Sequence, residues 1–426
     1  MSRRLALALA IFLGAAGAPQ ADTLVTADRL LDVRSGRMLS DPVILVRDER
    51  IVEIAHGGRP LANAPSADAA RIALDGLTIL PGLIDMHTHL DFDPTYGGYS
   101  WLEFSDRFWS VIMVPNALKT LEAGFTTVRN VGSMDWNDVG LREAIDAGKV
   151  PGPRIVTAAF AFGATGGHCD ETFFPPSMNQ ASPFNADGPE EGRKRVRELR
   201  KHGAQVIKIC ATGGVFSRNT EPGQQQLSLE EMRAIVAEAH MQGLKVAAHA
   251  HGTAGIKDAI RAGVDTIEHA SLIDDEGIRL ARKHGTWLSM DVYNTEYTQA
   301  VGRENNVLED NLRKDREIAE LQRENFRKAH RAGVKMVYGT DTGVHPHGDN
   351  GKQFRIMVQY GMTPIEAIRS ATVNAAEALG SSDVGVLEAG RYADLVAVAG
   401  DPTTEVTLLE AIPVVVKGGV LVKDAR

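Results

Sequence analysis

His87 and His89, one residue apart at the end of the apolar run from Thr78 to Met86, carry the clearest chemistry in this chain. Successive side chains of a strand point to opposite faces, so residues two apart project together. Two imidazoles on one strand end make half of a divalent-metal site. An H-x-H pair alone is weak. It gains weight because ligand-type residues recur at the ends of other short apolar runs. Val206–Cys210 carries Lys208, Val246–Ala250 carries His249 with His251 just beyond, Thr266–Ala270 carries His269, and Met336–Asp341 ends on Asp341. Desolvated polar groups need partners, and a shared cation would serve all of these at once.

Lys208 decides between one ion and two. An ammonium beside a divalent cation is repelled and tends to lose its proton. The neutral amine can add carbon dioxide, giving a carbamate whose two oxygens bridge a pair of ions. Ions about 3.5–4 Å apart can then share a hydroxide and polarise a carbonyl. The alternative for Lys208 is an ion pair with a carboxylate across the fold.

The elements that must gather these residues show in the pattern of the chain. Helices end in Ala-Gly and a strand follows at once, as in Glu122-Ala-Gly-Phe-Thr-Thr-Val128, Arg261-Ala-Gly-Val-Asp-Thr-Ile267 and Arg331-Ala-Gly-Val-Lys-Met-Val337. Glycine closes a helix in the left-handed conformation and turns the chain into the next strand. The strands predicted this way are Thr78–His87, Thr126–Asn130, Arg154–Ala158, Val206–Cys210, Val246–Ala250, Thr266–Ala270, Trp287–Asp291 and Met336–Asp341. Eight strands alternating with helices predict a (β/α)8 barrel of the α/β class, with chemistry at the C-terminal strand ends. Ser228 and Glu231 form a capping box opening a helix that runs to His240. Both chain ends read instead as short antiparallel β elements. The charged stretch Arg303–Arg331 reads as a solvated helix without functional signal.

Of 426 residues, 43% are hydrophobic, enough for a large core, and the net charge of −9 leaves no basic footprint for nucleic acid. Arg3 and Arg4, the apolar run Leu5–Ala16 and the small residues up to Ala18 read as a signal peptide over residues 1–21. Export to a bacterial periplasm or beyond is expected, with the mature chain starting near Asp22 and no membrane association after cleavage. Cys169 and Cys210 are the only cysteines. They could pair in an exported chain, but Cys210, on the same strand face as Lys208, reads as a buried free thiol.

Seven motifs together resemble the amidohydrolase superfamily, in its binuclear-zinc dipeptidase and imidazolonepropionase-like branch. They are Pro81-Gly-Leu-Ile-Asp-Met-His-Thr-His89, Val206-Ile-Lys-Ile209, Ala248-His-Ala-His251, Ile267-Glu-His-Ala270, Gly339-Thr-Asp-Thr342, Met362–Ala376 and Gly385–Val396. The resemblance implies a barrel over 81–380 and a small composite β-sandwich from residues 22–80 plus 381–426. It implies two zinc ions bridged by carboxylated Lys208 and a hydroxide, with His87, His89 and Asp341 on the first ion and His249 and His269 on the second. It also implies a homo-oligomer. Within the family the chain is similar to exported bacterial enzymes that release C-terminal amino acids from dipeptides and N-acyl amino acids, ochratoxin A among them.

In that chemistry Asp341 would carry a proton to the leaving amine. His168, in Thr165-Gly-Gly-His168, reads either as a substrate contact or as a solvated loop residue, and the resemblance favours contact. His251 would face the polarised oxygen or a ligand. Relatives often place a tyrosine oxyanion donor where this chain has Leu227, so His251 or His168 would replace it, or the substrate is apolar. The loop Thr212–Arg218 offers the Val215 backbone, Ser217 or Arg218 to a substrate carboxylate, although Arg218 reads equally as a surface residue. Tyr96, Tyr99, Trp101 and Phe104 either wall an apolar pocket or pack beneath a surface loop. Two competing readings stay open: a one-metal cyclic amidohydrolase or deaminase of imidazolonepropionase type, and an exported metal-binding barrel without catalysis.

Overall fold

Eight short parallel strands line the centre of the computed structural model, which describes residues 21–426. They are β1 (Leu83–Thr88), β2 (Phe125–Asn130), β3 (Arg154–Thr157), β4 (Val206–Cys210), β5 (Lys245–Ala250), β6 (Thr266–His269), β7 (Trp287–Ser289) and β8 (Met336–Val337). β1 to β3 form one ladder and β4 to β8 another. Parallel bridges join the two, between Phe162 and Ile209 on one side and Thr88 and Thr342 on the other. The strands therefore run round in chain order as a (β/α)8 barrel. Apolar residues on both strand faces suit a sheet buried inside and out. The predicted capping box is formed: Ser228 and Glu231 open the helix Leu229–Met241. Gly263, at φ +96°, closes Thr253–Ala262 three residues before β6. The signal-peptide reading falls on residues 1–20, outside the described residues, apart from Ala21. Among the described residues no helix is long and apolar enough to cross a membrane.

Both chain ends meet in one eight-stranded sheet. Thr23–Asp32, Arg37–Ser40, Val43–Arg47, Arg50–Ala55 and Ala70–Pro81 join Leu395–Val398, Val414–Lys417 and Val420–Asp424. It has its own core, including Val25, Ile44, Ile79, Leu395 and Val414. This corrects the single strand expected over Thr78–His87. Thr78–Pro81 pairs with Leu395–Val398 in the terminal sheet, and β1 starts afresh at Leu83. Gly82 makes the crossing, and a Cβ there would run into the Thr126 side chain.

Two further expectations are corrected. The charged stretch forms a helix over Glu309–Arg331, and its inner face buries Asn311, Lys314, Asp315, Ile318 and Gln322. Asn311, Asp315, Ile318 and Gln322 wall the central cavity, and Lys314 donates to the Ser217 carbonyl, so the face does not lie wholly in solvent. Cys210 is not a free thiol. The loop after β3 folds back over β4 and brings Cys169 to a Cα separation of 5.9 Å, where the two form a disulfide.

Candidate metal centre

The predicted ligands converge on the C-terminal rim. Asp341 Oδ1 lies 3.3 Å from Nε2 of both His87 and His89, and Lys208 Nζ lies 3.3 Å from His87 Nε2. Across the rim the rings of His249, His251 and His269 stand 4.5–4.7 Å apart between centroids. Three groups each bring their ligand atoms within 4.8 Å of one another: His87, His89 and Asp341; His249, His251 and His269; and His269, Asp291 and Asp341. His269 and Asp341 have left-handed backbones, at φ +69° and +59°. Such a conformation costs on the order of 1–3 kcal/mol in a non-glycine residue and is typical of functional positions. At β6 the turn lets neighbouring residues face the same interior: Glu268 reaches His87, while His269 reaches His249.

The ring nitrogens turned away from the centre are engaged. His89 Nδ1 lies 3.0 Å from the Gly132 carbonyl and His87 Nδ1 3.0 Å from Glu268 Oε2. Glu268 Oε1 in turn accepts from Arg129 Nη2 at 2.7 Å. His269 Nδ1 meets Asp291 Oδ1 at 2.9 Å, and Gln322 donates to that same oxygen at 2.8 Å. Asn294 Nδ2 donates to Asp291 Oδ2 at 2.8 Å and to Asp341 Oδ2 at 3.2 Å. His251 Nδ1 lies 2.8 Å from Ser271 Oγ, and His249 Nε2 lies 3.2 Å from the Gly213 carbonyl. Partners of this kind fix ring orientation and tautomer around a metal.

Charge state agrees with that role. Burial pushes the imidazolium pKa of His87 down to about 4, and those of His249 and His251 well below the ordinary value. Burial also works against protonating His269, but the Asp291 carboxylate outweighs it and raises that group. Asp341 is held well below the usual carboxylate range, because His87 and His89 overcome its desolvation. Burial brings Lys208 down to about 8, and it makes no ion pair among the described residues. The neutral imidazoles of His87, His249 and His251, the His269 ring with its Nδ1 turned to Asp291, a carboxylate and a readily deprotonated amine offer a crowd of donor atoms that divalent cations satisfy. The donor set fits a metal pair.

The remaining predicted residues divide. His168 stacks on His249 at 4.1 Å, its Nδ1 lies 2.8 Å from Ser217 Oγ, and its amide donates to Gln226 Oε1 at 2.8 Å. Val215 lines the cavity, whereas the buried Ser217 holds His168 from behind. Arg218 is exposed and donates to the Tyr99 hydroxyl at 2.5 Å, away from the cavity lining. Tyr96 and Trp101 line the cavity, while Phe104 stacks on Phe108 at 4.2 Å and Leu227 is in the core. The cavity measures about 460 Å³, with Phe92, Trp109, Phe160, Phe173 and Phe216 among its walls. Among the described residues Lys208 is its only lysine or arginine.

Sequence reasoning missed Arg129, Glu268, Asp291, Asn294 and Gln322. A signal existed for Asp291, which ends the predicted strand Trp287–Asp291 at the rim position searched on other strands. Glu268 sits in the quoted motif beside His269. Nothing local marks Gln322.

The chain matches the Amidohydrolase family over residues 78–422. Ochratoxinase of Aspergillus niger is 32% identical over 368 residues, covering 81% of this chain and 75% of that protein. A crystal structure of a Xaa-Pro dipeptidase with bound methionine in the active site superposes with a TM-score of 0.87 at 35% identity, covering 95% of this chain and 100% of the other. The crystal structure of A. niger ochratoxinase gives 0.84 at 29% identity, over 95% and 96% of the two chains. The family match runs through every strand that supplies the rim, from β1 to β8, and the chain belongs to the amidohydrolase family.

Proposed function

We propose that this amidohydrolase is a zinc enzyme releasing a C-terminal amino acid from dipeptides and N-acyl amino acids, with preference for a bulky apolar residue such as phenylalanine. The observation that carries this reading is the cavity over the histidine rim, walled by Phe92, Tyr96, Trp101, Trp109, Phe160 and Phe173. A phenyl ring would find aromatic walls there. Asp93, Asp170, Glu171 and Asp315 also line the cavity, so a basic C-terminal residue is the competing substrate that the screen must separate. The names of the two relatives, ochratoxinase and a Xaa-Pro dipeptidase with methionine bound, support a substrate of this class, and ochratoxin A is included as a candidate.

His87, His89 and Asp341 would hold one ion, and His249 and His269 the other, with carboxylated Lys208 between them. Bound there, the ions supply an activated water and polarise the scissile carbonyl. Asp341 accepts the proton of the attacking water and hands it to the leaving nitrogen, while Asn294 keeps its Oδ2 in place. The Ser271 hydroxyl, donating to His251 Nδ1, leaves the Nε2 hydrogen of His251 free for the developing oxyanion. Thr220, Ser217 and His168 Nδ1 form a similar relay that turns His168 Nε2–H towards the substrate. These two histidines take the place of the absent tyrosine, since Leu227 lies in the core.

The test is metal analysis of the purified chain together with a screen of N-acyl amino acids and dipeptides varied at the C-terminal residue. Two zinc ions per chain and release of phenylalanine in preference to glycine or arginine are expected. A strict requirement for C-terminal arginine or lysine would overturn the preference. One ion per chain with no amino acid released would favour the imidazolonepropionase-type reading. Export is proposed on the N-terminal sequence alone, and Edman sequencing of the cell-free or periplasmic protein checks it.

A further inference from the structure

We propose that the Cys169–Cys210 disulfide is a positioning device for His168, strapping the loop after β3 to the end of β4 so that this imidazole stays beside the metal centre. The inference rests on the reading of His168 as a substrate contact. Cys169 follows His168 directly, and Cys210 lies two residues beyond Lys208, paired in the ladder with His249. Both cysteines line the cavity together with His168. The loop backbone is pressed onto the bond: a Cβ at Gly163 would sit 3.2 Å from that of Cys210 and 3.7 Å from that of Cys169. On the far side, a Cβ at Gly214 would strike the His168 ring. The imidazole is thus held in a slot with one covalent wall tie.

The loop's other ties differ in kind. Asp170 accepts from the amides of Gly166, Glu171 and Ser182, which orders the loop internally without fastening it to the barrel. Across to neighbouring segments run hydrogen bonds such as His168 to Gln226 and Ser217, and Arg218 to Thr172. Each of these exchanges with water at small net cost. The disulfide cannot open that way, and it joins residues 41 apart.

The test treats the full metal-loaded chain with a water-soluble trialkylphosphine. The phosphine takes the oxygen of one water to become the phosphine oxide, and the two sulfurs become thiols, a two-electron reduction. With metal content measured and unchanged, kcat/KM should fall on the order of 10²-fold, mainly through kcat, because a contact to the oxyanion is made only in the transition state. Cys169→Ala, Cys210→Ala and the double variant should show the same single loss and no response to phosphine, and reoxidation should restore the wild type. His168→Ala should lose activity once, with phosphine adding nothing. Hydrogen exchange over residues 163–187 should quicken on reduction without any substrate present. Equal phosphine sensitivity in His168→Ala and wild type would overturn the proposal, as would unchanged exchange or free thiols at both positions in the purified protein. If the oxidised wild type cleaves no amide, the functional reading fails, and the exchange measurement still decides whether the strap holds the loop.

Discussion

The cavity has two walls built on different principles. One is the ring of strand ends carrying His87, His89, Lys208, His249, His269 and Asp341. There the barrel ladder sets the backbone, and the nitrogens turned from the centre meet carbonyls, carboxylates or a hydroxyl. The other wall is made of loops and one helix face. Its aromatic residues lean on each other, Tyr96 on Phe104 at 4.8 Å and Trp101 on Phe174 at 5.9 Å, and His168 depends on a disulfide and a few hydrogen bonds. Groups whose chemistry fails when displaced by a fraction of an ångström belong on the ladder. Groups that select the substrate can sit on loops, where change leaves the barrel intact; His168, which serves the chemistry from a loop, stands next to the covalent tie at Cys169.

If that division is right, substitutions should rank by wall. Lys208→Ala should be the most damaging, lowering kcat/KM by at least about 10³-fold and reducing the bound metal, as read by kinetics and metal analysis. Retention of two ions and near-normal turnover would break the comparison at its strongest point. Asp291→Asn removes the carboxylate behind His269, and a drop of about 10–100-fold in metal affinity or activity is expected, measured by competition with a chelator.

Asp138 joins the two walls. Its Oδ2 accepts from the Ala159 amide, where the loop after β3 departs, and from Asn130 at the end of β2. Burial raises its carboxyl from the ordinary 3.8 to about 7. The native state therefore binds this proton more tightly than the unfolded chain. Its contribution to stability is complete below about pH 4 and is lost as pH rises through about 7. Asp138→Asn removes the charge, so urea unfolding should find it about 2 kcal/mol more stable than wild type at pH 8, with the gain vanishing near pH 4. A gain that persists unchanged at low pH would sever Asp138 from this account.

On the loop wall, Trp101→Ala should raise KM for a C-terminal phenylalanine substrate about tenfold while sparing a glycine substrate, in steady-state assays. Arg218→Ala should change kcat/KM by no more than about twofold, because its guanidinium faces solvent and the Tyr99 hydroxyl. A large loss specific to substrates with a free carboxylate would show that Arg218 swings into the cavity, and would move part of the recognition chemistry onto an exposed loop.

Legibility followed the same division. β4 matches its predicted range Val206–Cys210 residue for residue, because a polar residue within a five-residue apolar run must obey both burial and the strand period. The eight-strand order was readable for a related reason, as each helix-closing glycine abuts its strand. The loop wall resists such reading, since nothing local says whether Tyr99 or Trp101 turns inward. The helix Glu309–Arg331 hid its role because its buried face is polar: Asn311, Asp315 and Gln322 look solvated until the cavity is placed against them, and Lys314 until the Ser217 carbonyl is. The break between Pro81 and Leu83 was invisible because an apolar run looks the same whichever sheet receives its hydrogen bonds.

By itself the amino-acid order determined which side chains stand at strand ends and what they can bind, since alternation and burial act over a few consecutive residues. Only the tertiary structure decided which carboxylate backs which imidazole, that Cys169 reaches Cys210 and that a charged helix closes the cavity. Those contacts join residues from 22 apart, His269 and Asp291, to 181 apart, His87 and Glu268, and proximity across such distances is a property of the whole packed chain.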